Sequence, residues 1–269
     1  MENLIEIVHE DADLLVVDKP AGLVCHPTKG DVYSSLISRL RLHFGTAARP
    51  QLVNRLDRET SGVVLVAKTD SAARELRALW ENRAVTKEYL AIVHGHVSEA
   101  GADIEAPLGR DERSRVAIKD CVRADGAPAQ TRFEVMSRFA RGTGKFTWLR
   151  VFPRTGRKHQ IRIHLAHIGH PIVGDKLYGG DEELYLAFVE SRLASAQWER
   201  LLLPNHALHA RAVRFRWRGG ECNYCAEPDS HFKEFLSTGR NVAQPLNSSD
   251  SILRPPNCGD AASEELSKQ

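Results

Sequence analysis

The chain of 269 residues has little of what defines several protein classes. Its cysteines number five, Cys25, Cys121, Cys222, Cys225 and Cys258, an odd and scattered set that reads as reduced thiols and not as a disulfide framework. Cys222-Asn223-Tyr224-Cys225 is a lone pair at C-x-x-C spacing; a zinc site wants a second such pair, so these cysteines read as incidental loop residues. No apolar run approaches the roughly 18 residues of a membrane span, and the longest are short, such as Gly62–Ala67. The first residues, Met1-Glu2-Asn3-Leu4-Ile5-Glu6, carry acids where a signal peptide carries bases. No membrane and a cytoplasmic location are therefore expected. Gly142-Thr143-Gly144-Lys145 is not a phosphate-binding loop, because Phe139 stands where the first glycine belongs and Phe146 where Ser or Thr belongs. Dinucleotide, hydrolase-elbow and kinase signatures are missing, as is any internal repeat. Excess charge is also scarce: 37 Lys and Arg against 35 Asp and Glu leave +2.

What is present is an ordinary globule, 42 % hydrophobic and 27 % charged. Ile5–Val8 and Leu14–Val17 read as paired strands, Val63–Ala67 as a buried strand, and Lys87–Val97, Thr131–Val135, Phe146–Val151 and Ala210–Trp217 as further strands. The spacing predicts helices over Ser34–Leu42, after an Asp70 or Ser71 cap, over Arg157–Ile168 and over Ala187–Leu203. Strands and helices without strict alternation give an α+β fold on a mixed sheet. Residues 1–238 read as one catalytic domain; residues 239–269, rich in Ser, Pro and Asn without periodic apolar positions, read as a disordered tail.

Three segments carry chemistry. In Asn54-Arg55-Leu56-Asp57-Arg58-Glu59-Thr60-Ser61-Gly62, a carboxylate sits between two cations just before a buried strand. Flanking cations keep it ionised and orient it. A surface ion pair fits the local pattern as well. From Arg138 to Lys176 there are nine Lys or Arg, one acid (Asp175) and four of the twelve histidines, a concentration that attracts a phosphate backbone. Arg154, Arg157 and Lys158 lie in it, the last two at an expected helix start where free N–H groups favour phosphate. His164 and His167 share a helix face, but no glutamate completes a zinc motif, so no metal is expected. Third, Tyr89 in Lys87-Glu88-Tyr89-Leu90-Ala91 is either a core residue or a stacking surface for a base.

Together these segments resemble the RluA family of pseudouridine synthases. Asp13–Leu23 is similar to its opening motif, Asn54–Gly62 to its catalytic motif and Lys87–Ala91 to its tyrosine motif; Thr155–Arg162, His170–Asp175 and Leu208-His209-Ala210 follow in the family's order. The resemblance implies the pseudouridine synthase fold, a mainly antiparallel mixed sheet with flanking helices and a catalytic cleft between two halves. It implies isomerisation of uridine in ribosomal or transfer RNA, without cofactor or metal, by a monomer. It implies that Asp57 is the catalytic carboxylate, that Tyr89 packs on the base, that Arg162 pairs with Asp57, and that Arg55 fills the gap left by the flipped uridine. Arg58, Arg154, Arg157, Lys158, His159 and Gln160 are the further candidates for RNA contact. Asn54 stands where the family often has His, with an expected effect on RNA contacts only. The catalytic region begins almost at Met1, so the family's N-terminal S4 domain is expected to be absent, which leans toward stand-alone members, some of them acting on transfer RNA. Two other classes fit less well. An RNA-binding assembly factor without activity would not keep Asp57, and a glycosidase would need a second acid that Glu59, without motif support, does not supply.

Overall fold

The computed structural model describes residues 5–27, 35–45 and 49–241. In chain order the strands are β1 (Glu6–Glu10), β2 (Leu14–Lys19), β3 (Gln51–Leu52), β4 (Ser61–Ala67), β5 (Thr86–His94), β6 (Gly101–Glu105), β7 (Leu108–Arg110), β8 (Asp120–Val122), β9 (Gln130–Arg141), β10 (Gly144–Pro153), β11 (Leu208–Trp217), β12 (Gly220–Cys225) and β13 (Arg240–Asn241). The helices are α1 (Leu36–Phe44), α2 (Asp70–Glu81), α3 (Gln160–His167), α4 (Glu183–Val189), α5 (Ser195–Leu201) and α6 (Ser230–Ser237). One long sheet runs β1-β2-β4-β11-β5-β10-β9-β13, with β3 on β4, β12 on β11 and β6 on β9; β7 and β8 form a separate pair. Its pairings are antiparallel except between β4 and β11, the mixed, mainly antiparallel α+β architecture that the motifs imply.

That one parallel contact shapes the molecule. β4 and β11 pair only through Ser61–Gly62 and His209–Ala210, so the sheet divides there into two halves. β4 is buried at every position, as expected of a continuous Val/Leu run covered on both faces. One face packs Val64 and Val66 on Leu36, Ile37 and Leu40 of α1; the other packs Val63 and Leu65 on Ala72, Ala73 and Leu76 of α2. The other half of the sheet builds its core from Leu90, Ile92, Leu149 and Val151 against Ile161 and Leu165 of α3 and Phe232 and Phe235 of α6. At the division, Gly62 adopts φ +111°, and a Cβ there would lie 2.2 Å from the carbonyl oxygen of Ala210. Gly62→Ala is expected to destabilise the fold by about 3 kcal/mol through strain and overpacking. That corresponds to a melting temperature about 6–12 °C lower; an unchanged thermal melt would refute the close contact.

Several elements differ from their sequence expectations. Helix α2 is capped by Thr69, whose hydroxyl accepts from the Ala72 amide, and not by Asp70 or Ser71. Ala187–Leu203 is not one helix but parts of α4 and α5, separated by a turn with Ser191 at φ +55°. Folding back lets the Phe188 and Trp198 rings meet edge to face, 6.3 Å apart, with Lys176 over both. Helix α3 starts at Gln160, three residues later than expected. Arg157 and Lys158 therefore lie in the preceding turn. Residues 239–241 are not part of a structureless tail: β13 pairs with Phe139 and Ala140 of β9, and Gly239 packs on the Phe139 ring. The rest of the expected tail, 242–269, lies outside the described residues. Cys25, Cys121 and Cys222 are free thiols, whereas Cys225 is disulfide-bonded, against the expectation that all would be reduced.

Candidate active site

A cleft of about 560 Å³ opens where β4 and β11 part. Asp57 lies in it, on the loop between β3 and β4, with Tyr89 from β5, Arg55 from the same loop, Arg157, Lys158 and His159 from the turn after β10, and Arg162 from α3. Among the described residues its walls carry five Lys or Arg side chains and a single carboxylate, that of Asp57. A polyanion entering the cleft meets this focused positive field.

The carboxylate is held by a chain of charges. Arg162, 8 % exposed at its side chain, donates from Nη1 to Oδ2 of Asp57 at 2.9 Å. Its other edge makes a two-pronged bond to Asp175, Nε to Oδ2 at 2.7 Å and Nη2 to Oδ1 at 2.9 Å. Asp175 Oδ1 also accepts from the amides of Leu177 and Tyr178 at 2.9 and 3.0 Å, and the Tyr178 ring lies beneath the guanidinium, 5.0 Å from its carbon. The fork of Arg162 is thereby fixed before any ligand arrives. Burial alone pushes the Asp57 carboxyl upward, but Arg162 together with the neighbouring His159 and His206 holds the group below the ordinary carboxylate range. Asp175 is likewise depressed, with burial opposed chiefly by Arg162.

The opening motif fastens this loop. Lys19 is fully buried, and its Nζ donates to the carbonyl oxygens of Pro20, Leu23 and Arg58 at 2.9, 2.8 and 3.2 Å. The Gly22 amide also donates to the Arg58 carbonyl, at 2.8 Å. Burial lowers the Lys19 pKa to about 8, with Cys25, Asp57 and Asp18 acting in the opposite direction. Behind the loop, Lys176 bonds Glu59 at 2.7 Å, and Thr60 Oγ1 meets His206 Nε2 at 2.7 Å. Glu59 is thus a buried structural ion pair. Asn54, which also lines the cleft, bonds the backbone of β4, donating to Val63 O at 3.2 Å and accepting from Leu65 N at 2.8 Å, so its side chain braces the loop.

The remaining candidates divide. Arg55, Arg157, Lys158 and His159 line the cleft with Asp57. Arg58 is exposed, donates to Gly22 O at 3.2 Å and stacks on Phe188, outside the cleft lining. Arg154 is exposed and pairs with Asp103 at 3.2 Å, also outside it. Gln160 is buried: its oxygen accepts from Thr155 Oγ1 and Arg157 N, and its nitrogen donates to Gln130 O and Thr131 Oγ1. All four of its hydrogen-bonding positions are used, so it shapes the turn that presents Arg157 and His159. The cationic run is not one surface either. Arg150 pairs with Glu88, Lys158 with Asp120 and Arg138 with three backbone carbonyls. His164 is enclosed between Thr131 and the Ala106 carbonyl. Among the described residues, no three His, Cys, Asp or Glu side chains converge to hold a metal, and no helix is long and apolar enough to cross a membrane.

An ionised carboxylate in a cationic cleft, beside an aromatic ring, can meet positive charge developing on a bound sugar or accept a proton from it. The sequence pattern of one family covers these elements: that of RNA pseudouridylate synthase matches residues 13–167. The chain belongs to this family. Over 229 residues, 79 % of the chain, it is 39 % identical to the ribosomal large subunit pseudouridine synthase D of Pseudomonas aeruginosa, covering 67 % of that protein. It is 40 % identical over 181 residues, 65 % of the chain, to the uncharacterized RNA pseudouridine synthase YlyB of Bacillus subtilis, of which it spans 58 %. Among solved structures, human RNA Pseudouridylate Synthase Domain Containing 1 superposes with a TM-score of 0.69 at 27 % identity, over 91 % of this chain and 92 % of that one. The span matched by the family takes in Asp57, Tyr89 and Arg162. Lys19, Asp175, Tyr178 and Gln160 lie in or beside the sequence motifs, yet their roles come only from the hydrogen bonds above.

Proposed function

We propose that this chain converts uridine to pseudouridine in folded RNA, with large-subunit ribosomal RNA as its substrate and Asp57 as its catalytic carboxylate. One observation carries the reading: a carboxylate paired with Arg162 lies in a cleft whose other charged lining groups, among the described residues, are cations. The name of the Pseudomonas relative, a ribosomal large subunit pseudouridine synthase, supports the choice of ribosomal RNA over transfer RNA. The chemistry balances without a co-reactant. The bond from C1′ to uracil N1 breaks, a bond from C1′ to C5 forms, the C5 hydrogen leaves as a proton and N1 gains one. No electrons are exchanged, so no redox cofactor is required.

The target uridine must leave its stack, at a cost of a few kcal/mol. Arg55, exposed at the cleft, offsets part of that cost by entering the vacated position, while Tyr89 supplies a face for the extruded base. Arg157 and Lys158 take backbone phosphates. The protein acts as a monomer in the cytoplasm, and residues 1–238 contain the catalytic domain.

The test incubates the purified chain with a large-subunit ribosomal RNA transcript and, separately, with transfer RNA, and maps pseudouridine in each. Conversion at a defined uridine of the ribosomal transcript is expected. Conversion of transfer RNA alone would overturn the substrate, and no conversion of either would overturn the function. Tyr89 makes no hydrogen bond through its hydroxyl among the described residues, and burial together with nearby Asp57 holds that hydroxyl in its neutral form. Tyr89→Phe is therefore expected to keep kcat within about threefold, whereas Tyr89→Ala loses stacking worth about 1–3 kcal/mol per base. Loss of turnover in the Phe variant would transfer the role from the ring to the hydroxyl.

A further inference from the structure

His159 stands at the N-terminus of α3 with φ +55°, a left-handed conformation that a residue with a side chain adopts at a cost. Such outliers gather where a side chain must be aimed. Here the aim is set by Tyr178. Its hydroxyl oxygen accepts from the backbone N–H of Asp120 at 3.2 Å and lies 2.9 Å from His159 Nδ1. A backbone N–H can only donate. The buried hydroxyl proton of Tyr178 then has one acceptor among the described hydrogen bonds, the Nδ1 lone pair of His159. His159 is consequently the tautomer with its proton on Nε2.

Nε2 lines the same cleft as Asp57 and lies 3.9 Å from Asp57 Oδ2, too far for a hydrogen bond. It has no hydrogen-bond partner among the described residues. The site therefore holds a neutral N–H, aimed by a buried hydroxyl, next to the carboxylate and unused by the protein. The imidazole stays neutral because burial lowers its pKa to about 4, although Asp57 pulls the other way. A permanent cation there would pair with Asp57; a neutral donor leaves the carboxylate to the sugar.

We propose that His159 is a further substrate-contacting residue, donating its Nε2–H to a carbonyl oxygen of the flipped uracil, with Tyr178 as the positioning residue that fixes the tautomer. When the C1′–N1 bond breaks, its electron pair goes to the uracil, and negative charge spreads onto the ring carbonyls. A fixed donor at hydrogen-bond distance from such an oxygen stabilises the charged state more than the ground state. His159 transfers no proton in this step; Asp57 faces the sugar and His159 the base. This inference rests on the proposed function, and its test separates the two.

Nitrogen-15 NMR of the free protein, selectively labelled at histidine, reads the tautomer without any RNA. The Nε2–H form is expected for His159, and Tyr178→Phe is expected to mix the two tautomers. With the ribosomal transcript, His159→Ala is expected to lower kcat at least tenfold while the dissociation constant for RNA changes less than threefold. His159→Gln, whose amide restores a donor, should recover part of kcat, and His159→Phe should not. An Nδ1–H tautomer in the wild-type protein, or an unchanged kcat in His159→Ala, would overturn the inference. An inactive wild-type protein would overturn the proposed function instead, whatever the tautomer.

Discussion

Asp57→Asn should lower pseudouridine formation by about 10⁴-fold or more, on the scale of removing a central group from a catalytic unit. RNA affinity should stay within about threefold, because phosphate contacts with Lys and Arg dominate it. The asparagine is nearly the same size and can still accept the 2.9 Å bond from Arg162, so the loop held by Lys19 and Gly22 has no reason to move. What disappears is the charge. Among the described residues every other charged lining group of the cleft is a cation, and neither nearby carboxylate can substitute: Asp175 is consumed by Arg162 and two backbone amides, and Glu59 by Lys176. The glycosidase alternative fails for the same reason, since Glu59 is fastened behind the loop. Turnover in the asparagine variant above about a tenth of wild type would mean that Asp57 orients RNA and does no chemistry, a smaller effect than the loss of one well-placed electrostatic group. Binding by fluorescence anisotropy, run beside the turnover assay, excludes an unfolded protein as the cause.

The local pattern around Asp57 was legible because it is contiguous: a carboxylate between cations, then a buried strand. Its environment was not. Arg162 is 105 positions away, and only the family resemblance linked the two; the bond itself depends on how α3 returns across the sheet after β10. Asp175 and Tyr178 stood in or next to a recognised block, but spacing cannot show that one locks the arginine and the other a histidine tautomer. Gln160 shows a structural task that the basic segment hides: it lines the cleft, and where helix α3 begins its amide is held by Thr155, Thr131 and Gln130. Charge counted along the chain is only partly charge on one surface. The run from Arg138 to Lys176 is cationic in sequence, but its residues point to both faces of β9 and β10 and meet Glu88, Asp103 and Asp120 from other elements. The cationic cleft takes Arg157, Lys158 and Arg162 from that run and adds Arg55 and Lys87 from outside it. The sheet's central strands were readable as unbroken apolar runs, whereas the break between α4 and α5 follows from a tertiary contact between Phe188 and Trp198.

Arg162→Met tests the charge chain and should affect stability and activity together. The substitution keeps an apolar stem of similar reach but leaves Asp57 and fully buried Asp175 without their cation. Breaking one side of a buried pair costs about 3–5 kcal/mol. The dependence on pH separates this cause from a simple loss of packing. In the wild type both carboxyls lie below their ordinary values, so their contribution to stability is present above pH of about 4 and lost as the pH falls through the folded-state values. Without Arg162, burial becomes the dominant influence and both carboxyls shift upward. The folded variant then binds protons that the unfolded chain releases, so its stability falls as the pH rises from about 4 toward the raised values. Urea denaturation at pH 5 and pH 8 should accordingly show a larger deficit at pH 8. Turnover should show the same shift, with the acid limb of the rate profile moved to higher pH because Asp57 must still ionise to act. Arg162→Lys restores a charge but not the fork that grips Asp175 on one edge and reaches Asp57 with the other. It should recover part of the stability at pH 8 and little of the rate. An equal deficit at both pH values in the methionine variant would show that Arg162 serves by filling space, and the ionised state of Asp57 would then need another source.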